Sequence, residues 1–104
     1  MMNNILSNIP ENLDKEVFEQ LVKSKQISIE RIISKGHQSP ESDWYDQEQN
    51  EWVMVIAGKA ILSFVDSPDI TMNKGDYINI PAHKKHKVSY TSQDEKTIWL
   101  AVHF

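Results

Sequence analysis

From Gln26 to the C-terminus the chain keeps a period of two, and that alternation narrows its possible folds more than any other feature. Ile27, Ile29, Arg31 and Ile33 alternate with Ser28, Glu30, Ile32 and Ser34, which predicts a strand half buried on one side. Further short runs follow at Glu51 to Ala57, Lys59 to Val65, Ile70 to Asn73, Tyr77 to Ile80, Lys87 to Thr91 and Thr97 to Phe104. Turn formers separate them. Gly58 offers a tight connection where a positive φ is needed, and Asp66, Ser67, Pro68 and Asp69 read as a turn. Gly36 to Gln49 is polar and reads as a long loop. About seven short strands at such spacing predict an all-β sandwich or barrel. With 104 residues the chain has apolar surface for one core and not for two.

The first quarter differs. Met1 to Ile9 is polar with isolated aliphatics and ends in Pro10, so it is expected to be a loosely tethered arm. Leu13, Val17, Phe18, Leu21 and Val22 recur at a three-to-four spacing, with Asn12 and Asp14 placed to cap the first amides. This predicts one short helix packed on the barrel. The expected organisation is therefore an arm and helix over residues 1–25 and a barrel over residues 26–104.

Composition excludes several classes of function. The net charge is -4 and the longest positive cluster is Lys84, Lys85 and Lys87 with histidines between, so no nucleic-acid partner is expected. The absence of cysteine removes disulfides, thiolate zinc sites and a cysteine nucleophile. No apolar run approaches the roughly 20 residues that span a bilayer, and the N-terminus lacks a signal-peptide pattern. A cytoplasmic protein without membrane contact is the simplest expectation. A core this thin favours pairing, so a homodimer is expected on stability grounds.

Two segments carry matching punctuation: Trp44 to Val53 leading to Gly58, and Gly75 to His86. Glu51, six residues and Gly58 form one frame; Gly75, five residues, Pro81 and then His86 form the other. Together they resemble the two motifs of the cupin family, G-x5-H-x-H-x3-4-E-x6-G and G-x5-P-x-G-x2-H-x3-N. The wording around them, including IPAH and a terminal WLAVHF, resembles a subgroup of small stand-alone cupins. The resemblance covers Ile27 to Phe104 and implies a cupin-type β-barrel, that is, a double-stranded β-helix or jelly roll. In cupins the His, His, Glu and His of the motifs sit on adjacent strands and hold one metal ion.

The chain departs from that pattern. Trp44, Tyr45 and Asp46 stand where the H-x-H is expected, His83 replaces the glycine of the second motif, and Tyr90 replaces its closing asparagine. The resemblance therefore implies Glu51 and His86 as metal candidates, with Asp46 in the place of the second histidine and His83 and His103 as recruits. Two carboxylates and an imidazole suit a divalent transition metal such as Zn, Fe, Mn or Ni. Plainer roles stand beside these. Glu51 reads equally as an edge carboxylate in water, Asp46 as a turn residue, His83 as part of a surface turn and His86 as a structural histidine. Trp44 and Tyr45 are candidates for lining a binding mouth or for covering the barrel rim. Trp99 is a core or pocket residue. Trp99, Ala101 and His103 share one face of the last strand; the opposite face, Ile98, Leu100, Val102 and Phe104, is more apolar and is the expected core face.

Three functions follow as expectations: a pocket that binds a small polar ligand, with or without a metal; a metal-dependent enzyme of the dioxygenase, isomerase or decarboxylase type; and a dimeric interaction module with a filled barrel. Fold alone does not choose among them.

Overall fold

In the computed structural model, which describes residues 2–40 and 43–104, eight antiparallel strands follow one another along the chain. They are β1 (Val17–Lys23), β2 (Ser28–Ser34), β3 (Glu51–Ala57), β4 (Lys59–Phe64), β5 (Ser67–Asn73), β6 (Tyr77–Ile80), β7 (His86–Thr91) and β8 (Thr97–His103). Five form one sheet in the order β1-β2-β8-β3-β6, and three form a second in the order β5-β4-β7. The two sheets face each other as a jelly roll. Their inner faces supply the core, with Val53, Val55, Trp99 and Ala101 from the larger sheet against Leu62, Phe64 and Met72 from the smaller.

The expected N-terminal helix is not there: among the described residues no helix exists, and Val17–Lys23 is strand β1, paired along β2. The register explains the misleading spacing. Gln20 opposes Glu30 and Val22 opposes Ile29, so Leu21 is an extra residue in a β-bulge. That insertion breaks the period of two, and the apolar positions then fall at helix-like intervals. Val and Phe are poor helix formers, and the open ladder of β2 offers β1 backbone partners that a short isolated helix cannot match.

The turn expected at Asp66 to Asp69 is also displaced. The chain reverses at Val65 and Asp66, and Ser67 and Pro68 already belong to β5. Because β5 is an edge strand, the missing amide of Pro68 costs no ladder bond. The tight connection at Gly58 does occur, at φ 89, and a Cβ there would lie 2.5 Å from Thr97 Oγ1 and 2.8 Å from the Lys96 carbonyl.

Register assigns the faces of the larger sheet. Glu30 opposes Ala101, Ile32 opposes Trp99 and Val55 opposes Trp99, so Trp99, Ala101 and His103 look into the barrel. The expected core face of β8 is therefore the wrong one: Ile98, Leu100 and Val102 point outward. That outer face is apolar because it too is covered in part. Ile33, fully buried, lies there between Val17 and Ile98. Beside it Arg31 donates to the carbonyls of Ile5, Ser7 and Asn8, so the N-terminal arm lies across the sheet and is anchored to it.

Candidate functional site

Glu51 opens β3 and His103 closes β8, and antiparallel pairing sets the two directly opposite each other. His86 opens β7 in the other sheet. Three strand ends thus bring their polar residues to one mouth of the barrel.

There His86 Nε2 lies 3.1 Å from Glu51 Oε1. His103 Nε2 lies 3.2 Å from Glu30 Oε1 and 3.9 Å from Glu51 Oε2. Gln47 Nε2 donates to Glu51 Oε1 at 3.1 Å. The result is a continuous line of side chains, His86, Glu51, His103 and Glu30, running along one wall. His86 is nearly fully buried and Glu51 mostly so.

The protons in this line follow from its partners. His86 Nδ1 lies 2.9 Å from the carbonyl of Lys84, which can only accept, so Nδ1 carries a hydrogen. Nε2 then faces a carboxylate oxygen, and a second proton must sit between them. Burial alone pushes Glu51 up, but the hydrogen bond from His86, the nearby charges of His103 and His86 and the Gln47 amide outweigh it and hold Glu51 below its ordinary value. Burial alone pushes His86 down, but the bond to Glu51, the Lys84 carbonyl and the Glu51 charge together raise it. Between pH 4.5 and 6.5 the proton therefore sits on the imidazole, and the pair there is an imidazolium and a carboxylate.

Beside this wall lies a cavity of about 180 Å³. Ile32, Leu62, Val88 and Trp99 give it an apolar floor, and Glu16, Phe18, Tyr45 and Gln47 surround its opening. The Trp99 indole nitrogen is buried with no hydrogen-bond partner. The loop that carries Tyr45 is stitched to β7: Tyr45 donates its amide to the His86 carbonyl at 2.7 Å, and His86 donates back at 3.2 Å.

The five metal candidates are split between two places. Glu51, His86 and His103 meet in the cavity wall. Asp46 and His83 pair with each other at 2.8 Å on the surface, where both are largely exposed, and His83 adopts a φ of 66 at the turn before β7. Among the described residues no three His, Asp or Glu side chains converge on a point where a metal could be held. His86 and His103 spend their Nε2 atoms on carboxylates, and the residues present do not fit the four-ligand centre of the motif. Of the ligand candidates, Tyr45 and Trp99 line the cavity. Trp44 does not; its ring lies under the Lys87 ammonium at 4.5 Å.

Sequence reasoning missed Glu30, Gln47 and Glu16. Glu30 had a usable signal, since it alternates with Ile32 on the face that opposes Trp99 and Ala101, but only a known register assigns that face to the interior.

Residues 30–103 match the sequence profile of the family described as Cupin domain. Among solved structures, the chain is 41% identical to a protein of Ralstonia eutropha JMP134 that carries a provisional assignment as a mannose-6-phosphate isomerase; the match covers 99% of this chain and 96% of that one at a TM-score of 0.94. A cupin superfamily protein of Desulfitobacterium hafniense DCB-2 shares 18% identity over 92% of this chain and 83% of its own, at a TM-score of 0.77. An RmlC-like cupin of Methanocaldococcus jannaschii with a double-stranded β-helix fold shares 17% over 91% and 84%, at 0.71. These last two speak to the fold alone. A search of curated protein sequences finds no significant match.

Proposed function

The chain belongs to the cupin family, and on that footing we propose that it binds a small polar molecule in the mouth of its barrel. The observation that carries this reading is a cavity with an apolar floor and, along one wall, a buried ion pair, His86 with Glu51. An apolar floor gives a ligand's body somewhere to desolvate. The polar wall fixes its orientation: His86 holds a proton at Nε2 and Glu51 keeps a second oxygen turned toward His103. No step of this reading runs through a metal, because the donor set does not form a centre.

The Ralstonia relative raises a sugar phosphate as a second ligand class. The lining argues against it. Among the described lining residues none is Lys or Arg, while Glu16, Glu30 and Glu51 are all acidic, and a dianionic phosphate would enter against them.

Butanediol, with a hydroxyl at each end, is a neutral probe of the pocket. Proton–nitrogen correlation spectra should show saturable shifts confined to Glu51, His86, Val88 and Trp99, and Val88→Trp, which fills the cavity, should abolish them while leaving the fold intact. Shifts that survive Val88→Trp, or that never saturate, would remove the pocket from the reading.

A homodimer belongs to the same proposal. Trp52 and Tyr77 stack with centroids 5.4 Å apart on the outer face, near Met54 and Leu100, and Tyr77 and Val22 stay exposed. Light scattering should give twice the chain mass, and Tyr77→Lys should halve it. As for membranes, no helix of the described residues is long and apolar enough to cross one.

A further inference from the structure

Resting on the pocket reading above, we propose that the ligand is a small organic cation that also carries a hydrogen-bond acceptor, an amino alcohol in its simplest form. The first support is the charge balance of the lining. Three carboxylates, Glu16, Glu30 and Glu51, face two imidazoles, His86 and His103, and no Lys or Arg lines the cavity among the described residues. Even with both imidazoles charged, negative charge remains in excess. A cation entering such a space regains by pairing part of what it loses in leaving water, whereas an anion meets net repulsion.

The second support is independent of the first. Trp99 lines the cavity, is 3% exposed, and has an indole N–H with no acceptor. A buried donor without a partner costs about 1–3 kcal/mol, and the indole can only donate, so an oxygen of the ligand is what would relieve it. The carboxylates and the indole therefore demand opposite things: a donor with positive charge at one end and an acceptor at the other. His103 occupies only Oε1 of Glu30, which leaves Oε2 of Glu30 as the receiving group for an ammonium.

Size sets the scale. The cavity of about 180 Å³ has room for a short chain. The apolar floor of Ile32, Leu62 and Val88 suits methylene groups between the two polar ends.

Three probes of equal length test this: aminobutanol, butanediol and hydroxybutyrate, each with its two groups at opposite ends of the carbon chain. Each is titrated into nitrogen-labelled protein while the Trp99 indole cross-peak is followed, with Trp99→Phe assigning that peak. Aminobutanol should bind about tenfold tighter than butanediol, as one added charge-assisted hydrogen bond supports, and hydroxybutyrate weakest of the three. The indole peak should move with the first two. Glu30→Gln should weaken aminobutanol more than butanediol and bring the two to parity. If hydroxybutyrate equals or exceeds the amine, if Glu30→Gln leaves the preference intact, or if the indole peak stays fixed during binding, the proposed ligand class is wrong. Those results leave butanediol bound and the pocket in place. Failure of butanediol itself would instead overturn the pocket reading and this inference with it.

Discussion

Glu30 and Arg31 are neighbours on β2 that point to opposite faces of one sheet, and each anchors a buried set of charges with a different fate. On the outer face Arg31 is held by its own chain: Nη1 donates to the carbonyls of Ile5 and Ser7 at 2.9 and 2.7 Å, and Nη2 reaches both oxygens of Glu19, while Nε stays buried without a partner. On the inner face the line of Glu30, His103, Glu51 and His86 satisfies itself only in part and turns its remaining oxygens toward an open volume. A charge set closed by backbone carbonyls holds the fold together. A charge set left facing a cavity keeps oxygens with which to meet something else.

The sharpest way to break this contrast is at Arg31. Arg31→Met keeps much of the aliphatic stem but strands three arm carbonyls and Glu19, and it should lower stability by about 3 kcal/mol, seen as a fall in the urea midpoint with an unchanged slope. If the loss is under half a kilocalorie, the outer set is not structural and the comparison fails. Next in size is Glu51→Gln, which keeps the shape of the wall but removes the ion pair, at about 2 kcal/mol where the pair is fully formed.

That second loss must depend on pH. His86 is raised above its ordinary 6.5, so its contribution is complete below 6.5 and is lost as pH rises through its folded value. Glu51 is lowered below its ordinary 4.5, so its contribution is complete above 4.5 and is lost as pH falls through its folded value. The pair stabilises most between 4.5 and 6.5. Urea midpoints of wild type and Glu51→Gln should therefore diverge most in that window and approach each other outside it. A Glu51→Gln deficit that is flat with pH would mean that the wall holds no imidazolium.

The same two faces explain what was legible beforehand. Period two from Ile27 onward gave most of the strands with nearly correct ends, and the paired frames around Glu51 and His86 located both halves of the buried ion pair though they lie far apart in sequence. Other readings failed for physical causes. The bulge at Leu21 disguised β1 as a helix. The rule that the more apolar face of a strand is the core face failed on β8, because the inner face had to build a polar wall and the outer face had an arm to bury. Glu30 went unseen for that reason as well: its face on β2 can be assigned only once β8 is known to place Ala101 and Trp99 inward. Asp46 stands at the position of a motif histidine and His83 at that of a motif glycine, yet the two separate connections that carry them turn both side chains to solvent, where they find each other.

The smallest effect is the most discriminating for the outer set. Glu19 is 37% exposed, so water screens its pairing with Arg31, and the buried work of the guanidinium falls to the arm carbonyls. Glu19→Gln should then cost only about 0.5 kcal/mol at low salt and about nothing at half-molar salt, where exposed pairs are screened. Urea denaturation at the two salt concentrations separates the parts. A Glu19→Gln loss that matches Arg31→Met would transfer the anchoring from the carbonyls to the ion pair, and the arm would then be held by a contact that salt can dissolve. A small, salt-sensitive loss leaves the carbonyls as the anchor: the arm closes the outer face because its backbone, unlike the open wall on the other side of β2, takes up the charge beneath it.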